Sequence, residues 1–241
     1  MKLLAVETST RACSAALYID GAIKECFELT SNEHTKLILP MIDSLMSDAG
    51  LKPQQLDALA FGCGPGSFTG VRIATGVIQG IAFGADLPVV PVSTLAAIAQ
   101  DFFDKNDIKL QDERFKAELA TFNVVFTAMD ARMGEIFWGV YQRDERGFAE
   151  LIGKESVTPA TDVEFPDMCG AGAGSGWGVY KQELMTRLAG RVNYCEIDLL
   201  PRAAAIARLG VRGFEQGLAV AVEQAMPVYL RDKVAKKESE R

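Results

Sequence analysis

The stretch from Leu59 to Gly84 constrains the fold most. An apolar strand, Leu59–Phe61, runs into a glycine-proline loop with Gly62, Gly64, Pro65 and Gly66, which opens onto a helix from about Phe68. Strand, glycine loop and helix in that order is how α/β proteins turn backbone N–H groups toward an anion. Yet no lysine occurs between Lys52 and Lys105, so the Gly-Lys-[Ser/Thr] ending of a nucleotide P-loop is absent. A loop with this shape and without the phosphate-binding lysine points to a helix used for something else.

The helix carries a second pattern. Gly76, Gly80 and Gly84 recur every four residues, with Arg72 one step earlier in the same row, and residues four apart share a helix face. Each interior glycine costs about 1 kcal/mol relative to alanine. Val71, Ile73, Ala74, Val77, Ile78, Ile81 and Phe83 spread apolar surface well round the cylinder, the mark of a helix buried on both sides. Two readings stay open: the glycine row packs tightly on the protein's own sheet, or the helix takes its sheet on one side and another protein on the other.

Residue types narrow the chemistry. The single histidine, His34, rules out a two-histidine metal site within one chain, and it leaves a Ser-His-Asp triad without a convincing nucleophile elbow. No metal site is expected, and His34, at a helix start, reads as a surface or interface residue. Five dispersed cysteines without a Cys-x-x-Cys argue for free thiols in a reducing cytosol. A net charge of −7 argues against unaided binding to a nucleic-acid backbone. No apolar run approaches the roughly 18–20 residues of a membrane span.

Along the chain, Leu3–Glu7, Cys13–Ile19 and Ala22–Leu29 read as a strand meander with a hairpin turn at Asp20-Gly21. A helix follows from His34 to Ala49, capped near Ser31-Asn32-Glu33, bent at Pro40 and stopped by Gly50. After Pro53–Leu56 and the Leu59–Gly84 unit come a strand, Val89–Val92, and a helix capped by Ser93-Thr94 that reaches Phe103. This makes one α/β lobe, residues 1–104. Lys105–Lys116 reads as a connector. A second lobe, residues 105–241, starts again with strands at Ala120–Met129 and Ile136–Gln142, with turns at Asp130–Glu135 and Asp144–Gly147. A further strand at Phe165–Gly170 leads into the glycine run Gly170–Gly178, read either as a nucleotide loop or as a flexible turn. Helices at Val179–Leu188 and Pro201–Gly217 follow, the last with the option of returning to the first lobe, and the charged tail Lys233–Arg241 reads as frayed.

LAVETST, GPGSFTGVR, PVSTLAAIA, MDARMGEIFWGVY (Met129–Tyr141) and PVYLRDKVA (Pro227–Ala235) together resemble the TsaB (YeaZ) family nearly end to end. That family serves the bacterial synthesis of N6-threonylcarbamoyladenosine at position 37 of tRNA. The resemblance implies a two-lobed actin/Hsp70/sugar-kinase fold, each lobe a mixed sheet with helices. It implies a non-catalytic scaffold for the paralogue TsaD, joined by the ATPase TsaE, with tRNA touched only indirectly and no membrane. It also implies a homodimer in isolation that competes with TsaD for one surface on the two N-terminal helices. The interface residues are then His34, Leu37, Ile38, Met41, Leu45, Val71, Arg72, Thr75, Gly76, Val77, Gln79, Gly80 and Phe83. Glu7, Thr8, Ser9, Thr10, Asp130, Arg132, Gly170 and Gly172 would mark a vestigial nucleotide cleft with at most weak ATP or ADP binding and no resident cofactor. A working phosphohydrolase or kinase of the same fold class is the alternative, with Asp130 as magnesium ligand or base.

Overall fold

A computed structural model describes residues 1–110 and 122–231, the side chains of 107–110 excepted. The part of the connector from 111 onward and the tail from 233 lie outside the described residues. The first half runs β1 (Lys2–Glu7), β2 (Ala12–Ile19), β3 (Ala22–Leu29), α1 (His34–Asp48), β4 (Ala58–Gly64), α2 (Phe68–Ala85), β5 (Val89–Ser93) and α3 (Thr94–Leu110). The second runs β6 (Val124–Arg132), β7 (Glu135–Arg143), β8 (Ala149–Pro159), β9 (Gly170–Ala173), α4 (Gly176–Val179), α5 (Lys181–Leu188), β10 (Val192–Glu196) and α6 (Ala203–Glu215).

Both halves build the same sheet. The orders are β3-β2-β1-β4-β5 and β8-β7-β6-β9-β10. In each, the first strand pairs antiparallel with the second and parallel with the fourth. The hairpin at Asp20-Gly21 forms as the sequence predicts, both residues at positive φ.

Each sheet is covered on both faces. On the first, α1 and α2 pack on one side, burying Ile38, Leu45, Ala74 and Ile78 against Leu4, Val6, Leu59 and Phe61. The other side receives α6, whose Ala203, Ile206 and Ala207 lie on Leu3, Ala5, Ala58 and Ala60. Small residues on both surfaces let that helix sit close: a Cβ at Gly210 would stand 2.7 Å from Ala60 Cβ. On the second sheet, α4 and α5 cover one face around Trp138 and Trp177. Leu95, Ile98, Phe102 and Phe103 of α3 cover the other.

Several elements depart from the sequence reading. The helix α3 continues past Phe103 and past residue 104 into the expected connector, with Asp101 and Lys105 paired 2.6 Å apart along it. The edge strands β8 and β10 are absent from that reading. α1 starts without a side-chain cap. The glycine run is the clearest correction. Phe165–Cys169 is not a strand, and Gly170–Ala173 is one, fully buried in the sheet rather than a loop. A Cβ at Gly170 would stand 2.4 Å from the Val124 carbonyl, and one at Gly172 2.5 Å from the Trp177 ring. These glycines admit a neighbouring backbone and a tryptophan, and Trp177 is fixed there by Nε1 donating to Phe126 O at 2.7 Å.

Candidate functional site

The end of β1 is closed by the glycine loop. A Cβ at Gly62 would fall 1.7 Å from Glu7 Oε2, one at Gly66 2.6 Å from Ser9 Cβ, and one at Gly70 2.1 Å from the Thr8 carbonyl. Hydrogen bonds finish the seal. Thr8 Oγ1 donates to Gly70 O at 2.7 Å, and Ser67 N donates to Ser9 O at 2.7 Å. Ser67 also caps α2, its Oγ accepting from Gly70 N, and Thr94 Oγ1 donates to Pro65 O. Glu7, Thr8 and Ser9 are consequently buried, with Thr10 half-buried. The Ser67 amide and the glycines of the loop are thus turned onto Glu7, Thr8 and Ser9 of the chain itself.

Glu7 is the unusual group. Its Oε1 accepts from Ser9 N, and among the described residues Oε2 has no hydrogen-bond partner. Burial pushes its carboxyl up to about 7, against the opposing hydrogen bonds from Ser9 and Thr8.

In the second lobe, Asp130 N donates to Ser175 Oγ at 3.2 Å, and its carboxylate takes the Arg132 backbone N–H at 2.8 Å and the Arg132 guanidinium at 3.0 Å. The turn that follows holds Arg132, Met133 and Gly134 at positive φ. Asp130 is thus held by its own turn and by Ser175 and Tyr180 beyond it. Gly170 and Gly172, inside β9, do not line a cleft.

The segment 225–231 spans the two lobes between these loops. Val228 N donates to Cys63 O at 2.7 Å, and a Cβ at Gly64 would stand 2.6 Å from Val228 O. Arg231 Nε donates to Glu135 Oε2 at 3.0 Å and its Nη2 to Ala131 O at 3.1 Å. Sequence reasoning assigned these residues no role, because every partner lies about 100 positions or more upstream. It also missed a polar junction where Glu155 of β8 accepts from Ser93 Oγ and Tyr141 OH. Burial raises the Glu155 carboxyl above the usual carboxylate range, and burial beside Glu155 raises Tyr141. Among the described residues no group of three or more His, Cys, Asp or Glu side chains is placed to hold a metal ion.

The expected interface residues divide in two. Ile38, Leu45, Val71 and Thr75 face inward and belong to the core. His34 is also buried, contrary to its surface reading, because its Nε2 donates to Thr10 O at 2.8 Å and ties α1 to the β1–β2 turn. Leu37, Met41, Val77 and Gln79 are half-buried, while Arg72, Gly76, Gly80 and Phe83 are exposed. No atom outside the helix lies within 4 Å of a Cβ built at Gly76, Gly80 or Gly84, so the glycine row does not pack on the sheet. Phe83 is 80% exposed and Phe68 57%. At 18 residues and mean hydropathy 1.2, α2 is long and apolar enough by composition to cross a membrane, which the sequence reading did not find. Its buried third docks on β4 as a core helix does.

Known proteins match along most of this fold. The family model described as TsaD: tRNA N6-adenosine threonylcarbamoyltransferase matches residues 27–170. The tRNA threonylcarbamoyladenosine biosynthesis protein TsaB of Escherichia coli (strain K12) is 40% identical, across 98% of this chain and 96% of that one. TsaB of Haemophilus influenzae is 38% identical, across 97% and 95%. The structure of YeaZ from Pseudomonas aeruginosa superposes with a TM-score of 0.83 at 39% identity, covering 95% of this chain and 99% of that one. At 38–40% identity along nearly the whole length of both chains and with one shared fold, this chain belongs to the TsaB family.

Proposed function

We propose that the chain is a non-catalytic subunit in the synthesis of N6-threonylcarbamoyladenosine on tRNA. It pairs with TsaD through the open side of α1 and α2 and holds TsaD in the state that transfers the threonylcarbamoyl group to adenosine 37. TsaE joins that pair, and tRNA is contacted through TsaD. Alone, the chain pairs with itself through the same face. Its five cysteines, all free, suit a reducing compartment, and we assign it to the cytosol. ATP or ADP binds weakly at most, since Glu7, Thr8 and Ser9 are buried.

The observation that carries this reading is the split character of α2. One face is core, and the other is apolar, open and smoothed by glycines, a surface suited to close helix–helix contact. The alternative of a working nucleotide hydrolase has no comparable support: its would-be first phosphate loop is filled by Gly62, Gly66 and Gly70, and its aspartate is paired to Arg132.

Light scattering on the chain alone and mixed with purified TsaD from the same cell tests the reading. A one-to-one heterodimer formed at the expense of the homodimer supports it, and a chain that ignores TsaD overturns it. Val77 stands half-buried at the edge of the open face. Val77→Glu is expected to weaken pairing about a hundredfold by desolvating a charge, with the far-ultraviolet spectrum of the fold retained. Undiminished pairing would move the interface elsewhere.

A further inference from the structure

The segment 225–231 runs along α2, from Gln79 to Phe68, before it reaches the β6–β7 turn. It is anchored by Gln79 Nε2 donating to Ala225 O at 2.9 Å, by Val228 N on Cys63 O, and by Arg231 on the β6–β7 turn. These anchors fix Tyr229, whose ring centroid lies 5.8 Å from that of Phe68. The Arg72 guanidinium stacks 3.4 Å from the Phe68 centroid and 5.5 Å from that of Tyr229. Two rings hold the cation in place, and both rings remain partly exposed.

Among the described residues Arg72 has no acidic partner, whereas Arg202, Arg208, Arg212 and Arg231 each pair with a carboxylate. A guanidinium stacked by its face keeps its in-plane N–H donors free. Their fork fits a carboxylate bidentately. Arg72 is thus a positioned cation, without an acidic partner among the described residues, set against the rings of Phe68 and Tyr229, where a charge pair would be partly desolvated on contact.

We infer that Arg72 receives a carboxylate from the partner subunit that lies on α2, and that the C-terminal segment, by locking Tyr229 in place, is a working part of the pairing surface. The inference rests on the scaffold reading and adds to it the chemistry of one contact and a contribution from the far end of the chain.

Calorimetric titration of the full chain with purified TsaD from the same cell, at low and high salt, tests it. Wild-type pairing is expected to weaken with salt. Arg72→Glu should weaken it about a hundredfold at low salt, and Arg72→Lys about tenfold because an ammonium cannot make the fork. Arg231→Ala, which frees the segment from the β6–β7 turn, should cost about tenfold while the far-ultraviolet spectrum stays unchanged. Wild-type affinity in both Arg72 variants overturns the carboxylate contact and leaves the scaffold reading standing. Wild-type affinity in Arg231→Ala alone overturns the part given to the C-terminal segment. A wild-type chain that does not bind at all overturns the scaffold reading and this inference with it.

Discussion

At pH 8, Glu7→Gln is expected to be more stable than the parent chain by about 2–3 kcal/mol, a gain that falls to zero near about pH 5 and becomes a small loss by about pH 4. The carboxyl is pushed from its ordinary value of 4.5 up to about 7 by burial. Because the folded value is raised, the folded state holds its proton more tightly than the unfolded chain does. Stability is fully present below about pH 4.5 and is lost as the pH rises through about 7. A shift of that size is worth about 3 kcal/mol. Glutamine keeps an oxygen for the Ser9 N–H, and its added N–H₂ beside Gly62 takes back about 1 kcal/mol if left unpaired. The neighbouring thiols stay neutral throughout, Cys13 pushed up to about 11 and Cys63 to about 12, chiefly by burial. Glu155 and Asp101, also raised by burial, are common to both proteins and cancel in the difference. Urea unfolding from pH 4 to 8 reads the effect, and two parallel stability curves would remove Glu7 as its source.

The same substitution at two glycines of α2 should act in opposite directions. Gly70→Ala is expected to cost about 2–3 kcal/mol, because its Cβ would stand 2.1 Å from the Thr8 carbonyl, a backbone group that cannot rotate aside. The helix cannot retreat without breaking the Thr8 and Ser67 hydrogen bonds that close the loop. Gly76→Ala meets open space and should gain about 1 kcal/mol from helix propensity alone. It should also weaken pairing, since it raises a methyl group on the smooth face. Thermal melting of the two variants separates the cases. Destabilisation at Gly76 would mean that the row already packs within the chain.

The sequence carried the first lobe well because its signals are local. Asp20-Gly21, Gly50 and the Ser93 cap each act on residues a few positions away. It failed where partners are distant. Gly170 and Gly172 look like a loop until Val124 and Trp177 are placed against them, and nothing near residue 170 announces either neighbour. The edge strand β8 is polar and half-exposed for most of its length, so neither alternation nor an apolar run marks it. The candidate interface was legible as a helix with too much apolar surface. Which residues face inward was not: Ile38 and Leu37, or Thr75 and Gly76, are adjacent in sequence and opposite in fate. His34 misled because a lone polar residue at a helix start ordinarily meets solvent, whereas here the β1–β2 turn lies over it.

The two helices that close the sheets are exchanged between the halves. The helix after the first five strands, α3, lies on the second sheet, and the helix after the second five, α6, lies on the first. Each half therefore lends the other the cover for one face, and neither half alone can complete a core. Arg208 of α6 paired with Asp104 of α3, and Gln100 of α3 with the Gly147 carbonyl, tie the two loans together. The lobes are therefore expected to melt in one transition, and two separate transitions in calorimetry would contradict the exchange. Among the described residues the run from α2 through Gln79, Ala225 and Val228 to Arg231 on the β6–β7 turn is hydrogen-bonded along its length, so a displacement of α2 is expected to reach the second lobe along that path.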